Sequence, residues 1–299
     1  MEGVFTLSII FFVQLIICNR KVNSLLEWLR YFLRSKHRKG FGVHSPFVFY
    51  LVTKVIEERY PYYKYDLIEI IRTALFRTKK RLHVKAEDGT MVERNISDMA
   101  RTLSKLPSYD QLLFRLVNHS KPKQLLEMRA SFGLSSMYLA APDSKAQLWT
   151  MEEGEVAKYA RLSCENAGIK NVRLVEGNPT TILDAVLKNI GQIDFLFFNP
   201  DMTSDLATLN GLFAKCEQKL HEGSVVVVDA IHSTKSAKEL WAQLKAKEDV
   251  RVTIDVYSFG VIYYNTELQK EDYTLRFFPS VKDLFAWNKF SALPFIKRL

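Results

Sequence analysis

The sequence predicts a doubly wound α/β domain preceded by a helical region, on three observations. From Lys123 onward, short apolar runs alternate with segments of helical periodicity, the pattern of successive βα units. Runs such as Val225–Val228 are apolar at every position, as in strands covered on both faces. After the last helix two strand-like runs follow each other through Gly260, a connection too short for anything but antiparallel pairing.

The expected strands are Gln124–Met128, Gln147–Met151, Val172–Val175, Ile193–Phe198 and Ser224–Asp229, with helices beginning near Phe132, Glu155, Thr180, Asp205 and Thr234. Leu206, Leu209, Phe213, Cys216 and Leu220 form one helical stripe, and Ala237, Leu240, Trp241 and Leu244 another; both are core-facing. Arg251–Tyr257 and Val261–Asn265 complete a seven-stranded, mostly parallel sheet, and Thr274–Phe278 is a candidate for a further strand. The first 120 residues read as all-helical. Helices are expected over Asn23–Leu33, from Pro46 to Glu58 behind the N-cap Ser45, over Tyr65–Leu82, Ile96–Leu106 and Tyr109–Asn118. Lys85–Asn95, with Asp88-Gly89, is a hairpin or an exposed loop. His37 and His44 flank a basic lead-in to the second helix, and belong either to an active-site lid or to that capped helix alone.

The domain limits follow: an apolar segment 1–21, a helical region 22–120 on the substrate side, the sheet domain 121–278, and a tail 279–299. Val4–Cys18 is apolar but shorter than the ~20 residues of a membrane span, and it lacks the basic start of a secretory signal. It is an anchor holding the rest on the cytoplasmic side, since Arg20 and Lys21 follow it, or sequence upstream of a true start near Val22. The net charge of +9 favours anionic partners, yet it is spread along the chain in runs that are ordinarily solvated faces, so nucleic acid is not the expected partner. The three cysteines have no metal or redox spacing, which points to a reducing, cytoplasmic setting. Nothing in the sequence addresses oligomeric state.

In an open parallel sheet ligands bind beyond the carboxyl ends of the strands. The first strand there leads through Glu127-Met-Arg129-Ala-Ser131-Phe-Gly133, a tight turn into a helix. The second ends at Glu152-Glu153, where an acid can accept hydrogen bonds from both hydroxyls of a ribose. Asn178 follows the third strand, Asn199-Pro200-Asp201 the fourth, and Asp229-Ala230-Ile231-His232 the fifth.

In these residues the chain resembles class I S-adenosylmethionine (SAM) dependent methyltransferases, a Rossmann-like family, nearest the catechol-O-methyltransferase-like group. It is also similar to uncharacterised bacterial proteins with an N-terminal His-Ser-Pro-Phe-Val signature, matched by His44–Val48. Gln111–Leu113 ahead of the first strand, and Leu126, Glu127 and Gly133 in the turn, match that family's pattern. The resemblance implies SAM as cofactor, with Glu127 orienting its methionine end, Glu152 holding the ribose and Asn178 beside the adenine. Ser131, Gly133 and Asn199 fall in the same cofactor set, and Asp229 faces the methyl-transfer site. Arg129 departs from the pattern, standing where the family has glycine. Its side chain crowds the cofactor and opposes the sulfonium, or pairs with the cofactor's carboxylate if the loop moves outward. The catechol-type metal positions hold Asn199, Asp229 and Ala230, too few anionic oxygens for a hard cation, so no catalytic metal is expected. His232 is then the candidate general base, with a helix-capping role as the alternative.

Three functions compete: methylation of a small-molecule or lipid-like hydroxyl; a degenerate fold that binds without turnover, on the departures at Arg129, Asn199 and Ala230; and methylation of an amine in nucleic acid or protein, on Asn199-Pro200.

Overall fold

The computed structural model describes residues 29–35, 40–85, 89–203 and 205–277. The apolar run Val4–Cys18, most of the helix expected over Asn23–Leu33, His37 and the tail 279–299 lie outside the described residues. Among the described residues no helix is long and apolar enough to cross a membrane.

The N-terminal region opens on helical residues 29–34 and then α1 (Pro46–Leu51), which Ser45 caps by accepting the Val48 N–H. A π-helical turn, Val52–Ile56, extends α1, as the run to Glu58 anticipated. α2 (Tyr63–Arg77) stops short of the expected Leu82, because the chain turns into a hairpin, β1 (Arg81–Lys85) with β2 (Met91–Asn95). The region is therefore not all-helical. Its first strand is exposed at alternate positions and buries Leu82 alone, so it offers almost no apolar signal. α3 (Ile96–Leu103) and α4 (Pro107–Ser120) lead into the sheet.

The sheet strands are β3 (Gln124–Glu127), β4 (Gln147–Glu152), β5 (Val172–Glu176), β6 (Phe195–Phe198), β7 (Val225–Asp229), β8 (Val252–Asp255), β9 (Phe259–Tyr263) and β10 (Glu271–Thr274). They lie in the order β10-β8-β9-β7-β6-β3-β4-β5, so the sheet has eight strands rather than seven. β5, β4, β3, β6 and β7 run parallel. β9 is antiparallel to both β7 and β8, the predicted terminal hairpin. β10 adds parallel to β8 and begins before the expected Thr274; its polar sequence, Glu-Asp-Tyr-Thr, suits an exposed edge.

The crossovers are α5 (Leu134–Ala140), α6 (Gly154–Asn166), α7 (Pro179–Leu187), α8 (Leu206–Glu217) and α9 (Lys235–Ala246). Asn178, Asp205 and Thr234 cap the last three through side-chain oxygens that accept backbone N–H groups of the first turn. Period-two alternation divides the strand side chains between two cores. Leu125, Phe195, Phe197, Val225 and Val227 join the N-terminal helices and α5. Leu126, Leu196, Phe198, Val226 and Val228 meet Leu183, Phe213, Cys216, Leu240 and Leu244 on α7, α8 and α9. That two-sided burial explains the unbroken valine run.

At Gly260 the Trp241 ring of α9 lies against the β9 backbone, and a Cβ there would overlap it, with Cζ3 at 2.6 Å. Gly260→Ala should cost about 1–3 kcal/mol by overpacking, read as a lower denaturation midpoint; an unchanged midpoint would show that the ring has room to move.

Candidate functional site

Strand order reverses at β3: β4 and β5 lie on one side of it, β6 and β7 on the other. The crevice beyond the carboxyl ends of β3 and β6 is thus the topological switch point, where an open α/β sheet takes its ligand. A cleft is found there, lined from β3 by Arg129–Phe132, from β6 by Asn199, and from the α3–α4 link by Leu103–Lys105.

The turn after β3 is tightly specified. Met128 N–H donates to Phe197, Ala130 N–H to Met151, and Gly133 N–H to Ala130, which fastens the turn to its neighbouring strands. Ser131 and Gly133 take left-handed backbone angles, φ 50° and 82°. Gly133 is required for a packing reason: a Cβ would stand 2.8 Å from the carbonyl oxygen of Ala160 on α6.

The acids at the strand ends are already engaged. Glu127 is fully buried and accepts hydrogen bonds from Ser135 Oγ at 2.5 Å, Thr150 Oγ1 at 2.8 Å and Ser136 Oγ. Burial pushes its carboxyl up to about 7, with the three hydroxyls and Lys105 pulling the other way. Glu152 is 2% exposed and accepts Ser131 N–H at 2.7 Å and Glu153 N–H at 3.1 Å. Arg129 Nε lies 3.5 Å from the same carboxylate. The residue that breaks the glycine pattern therefore neither swings outward nor waits for a ligand carboxylate; it pairs with the acid expected to hold a ribose.

Asp229 is held likewise. Lys105 Nζ is 2.6 Å from its Oδ2, and both side chains are largely buried. The ammonium also sits 5.1 Å from the centre of the Phe197 ring. Burial opposes its charge, but Asp229 and then Asp110 outweigh that and hold it above the ordinary lysine range. Lys105 is fixed from behind: Arg72 Nη1 donates to its carbonyl at 3.0 Å, while Nη2 reaches Asp110 Oδ2 at 2.6 Å and Nε binds Glu69. Local sequence gives no hint of these partners. The signal available was Pro107 opening a helix, which places Lys105 just ahead of it and Asp110 in its first turn.

The other predicted residues are divided. Asn199 lines the cleft, its Oδ1 accepting Asp201 N–H at 2.9 Å. Asn178 Oδ1 caps α7 by accepting Thr180 N–H at 2.9 Å. His232 does not line the cleft; its Nε2 is 2.9 Å from Asp255 Oδ2, and its ring stacks on Tyr257. His44 lies just ahead of Ser45, the α1 cap. Among the described residues no cluster of three or more His, Cys, Asp or Glu side chains is spaced to hold a metal ion.

The resemblance implies SAM, and the cleft can be tested for it. The space left between the lining side chains is about 20 Å³, room for roughly one water. The ribose acid is covered by Arg129, and the acid at the end of β7 by Lys105. As arranged, these residues do not fit the cofactor.

No family model matches the sequence, and no curated protein does. Among solved structures the chain is similar to a putative O-methyltransferase from Klebsiella pneumoniae, with 16% identity over 69% of this chain and 92% of that one, and a TM-score of 0.47. It is similar to an O-methyltransferase from Bacillus cereus in complex with SAH, with 15% identity, 71% and 94% coverage, and a TM-score of 0.46. A third is the O-methyltransferase TomG from Streptomyces achromogenes, involved in tomaymycin synthesis and in complex with SAM, with 20% identity, 55% and 82% coverage, and a TM-score of 0.46.

Proposed function

We propose that this chain is a SAM-dependent methyltransferase that takes its cofactor in the β3–β6 crevice and methylates a hydroxyl of a small or lipid-like molecule without a catalytic metal. The observation that carries this reading is the coincidence of three features at one switch point: the cleft, the left-handed Ser131–Gly133 turn, and an acid at the end of the adjacent strand. Cofactor entry requires Arg129 to leave Glu152 and Lys105 to leave Asp229. The helices of region 22–120 supply the acceptor side, and residues 4–18 are the segment through which the protein would meet a membrane.

A second reading, binding without turnover, is favoured by one observation: both of those acids are already neutralised from within the chain. Calorimetric titration of the full chain with SAM and S-adenosylhomocysteine (SAH) separates the cofactor proposal from its failure. Saturable binding of either nucleoside below the millimolar range supports a cofactor cleft. No binding by the wild type or by Arg129→Gly would sink it.

A further inference from the structure

We propose that residues 41–63 form a peripheral membrane-contact surface, in which exposed aromatic rings enter the headgroup layer and neighbouring cations face anionic lipid.

Eleven large apolar side chains are exposed among the described residues, and the five aromatic ones, Phe41, Phe49, Tyr50, Tyr60 and Tyr63, all fall in this segment. Phe41 and Tyr63 are 84% and 77% exposed, so folding has buried little of either ring. Contacts gather the five into one strip. Gly40, next to Phe41, packs on the Phe49 ring, where a Cβ would stand 2.7 Å from Cε2. Tyr50 meets the His119 ring of α4 at 5.6 Å. Beside it Asn118 Nδ2 donates to the Tyr62 hydroxyl at 3.4 Å, and the Tyr62 ring packs against Tyr60 at 5.0 Å. Exposed apolar surface gathered in this way marks an interaction site.

The charge of the same stretch names the partner. From Arg34 to Lys64 the sequence has seven Lys and Arg against two acids, Glu57 and Glu58, a net +5 of the whole chain's +9. Asp66, in the first turn of α2, is the next acid. Glu58 is engaged, accepting the Tyr62 hydroxyl at 3.1 Å. Lys54, four residues after Tyr50, and Arg59 are exposed, and Lys64 Nζ lies 5.2 Å from the centre of the Tyr63 ring. Tyrosines suit the boundary of a bilayer, ring toward the acyl chains and hydroxyl toward water, and each cation near the surface adds attraction for anionic lipid. A lipid surface is favoured over nucleic acid because the same chain carries Val4–Cys18, an apolar run that a phosphate backbone would not accommodate.

The crevice beyond β3 and β6 is left clear. α4 runs from Pro107, just after the cleft-lining Lys105, to Ser120, just ahead of β3. Its last turn, where Asn118 and His119 join the strip, is therefore about 20 Å from the crevice, one helix length away. A bilayer on the strip faces the opposite end of the sheet, whatever the crevice binds.

Co-sedimentation of the full chain with phosphatidylcholine vesicles, with and without phosphatidylserine, tests the proposal. The wild type should pellet with the anionic vesicles and be released as salt rises. The triple change Phe41→Ser, Tyr60→Ser and Tyr63→Ser alters only exposed rings and should weaken partitioning at least ~10-fold, since three rings lose their apolar contact. Thermal melting checks that this variant folds. Phe41→Trp in an otherwise unchanged chain gives a reading that does not depend on it: the added emission, as the difference from wild type, should shift to the blue and be quenched by brominated lipid. A folded triple variant that binds vesicles like the wild type, or an added tryptophan that brominated lipid leaves untouched, overturns the proposal and leaves Val4–Cys18 to meet the membrane alone. A wild type that ignores anionic vesicles overturns it too; strip-dependent self-association or salt-sensitive binding of single-stranded RNA in that chain would assign the strip to a second copy or to nucleic acid instead.

Discussion

Asp110→Ala is expected to destabilise the folded chain by about 3–5 kcal/mol, the largest loss among these predictions. Asp110 and Arg72 are buried, with side chains 2% and 4% exposed, and are joined at 2.6 Å. Removing the carboxylate leaves a buried guanidinium with only the partly exposed Glu69 as its charged partner, and an undercompensated buried charge costs far more than the pair itself contributes. Arg72 cannot escape by losing its proton, because a guanidinium stays protonated in proteins. The guanidinium also holds Glu69 and the Lys105 carbonyl, so α2, α4 and the α3–α4 link loosen together. Replacing both partners by apolar residues, Arg72→Met with Asp110→Leu, should recover most of the loss, because neither member of the pair is left unpaired and Glu69 is partly exposed and keeps the Tyr138 hydroxyl. Urea unfolding of the two single variants and the double variant gives the coupling directly. A loss for Asp110→Ala under about 1 kcal/mol would show that water reaches the site.

The second large effect is a dependence on pH. Glu127 is raised to about 7 in the folded chain, chiefly by burial, from an ordinary value of 4.5. Its sign is the reverse of the usual carboxylate case. Between about pH 4.5 and 7 the folded chain keeps a proton that the unfolded chain has released. Stability therefore falls as pH rises across that window and levels off above it. A rise of this size corresponds to about 3 kcal/mol. Glu127→Gln should flatten this slope, because an amide does not titrate and can still meet Ser135, Ser136 and Thr150. Unfolding free energies of the wild type and the variant at several pH values from 5 to 8 make the comparison. Parallel curves would mean that Glu127 titrates normally.

Strand positions and the terminal hairpin were legible because their signals are local. An apolar run flanked by a capping residue names a strand and the helix after it, and Asn178, Asp205 and Thr234 do cap. The β1–β2 hairpin and β10 were hard to read for the opposite reason. The hairpin is polar and mostly exposed, and β10 is polar and buries Tyr273 alone, so burial wrote little into them. The site divides along the same line. That Arg129 was out of place could be read from the turn itself, but its partner Glu152 belongs to the next strand. Lys105 gave no sign, because Asp229 reaches it only once β7 has taken its place two strands from β3. His232 was noticed for its chemistry, while the Asp255 beside it depends on the hairpin folding back.

One contact bears on how such a chain is made. Tyr31 donates its hydroxyl proton to the Leu275 carbonyl and accepts the Phe277 N–H, and Arg276 donates to the carbonyls of Phe32 and Ser35. The partners stand 241 to 246 residues apart in sequence. Closing so long a loop is slow, and in a chain emerging from the ribosome it waits for the last strand. Until Phe277 has been synthesised the helical segment around Tyr31 lacks these hydrogen-bond partners. The first described residues are thus among the last to reach their native neighbours, and this clasp is the natural place to watch for late-forming structure during translation.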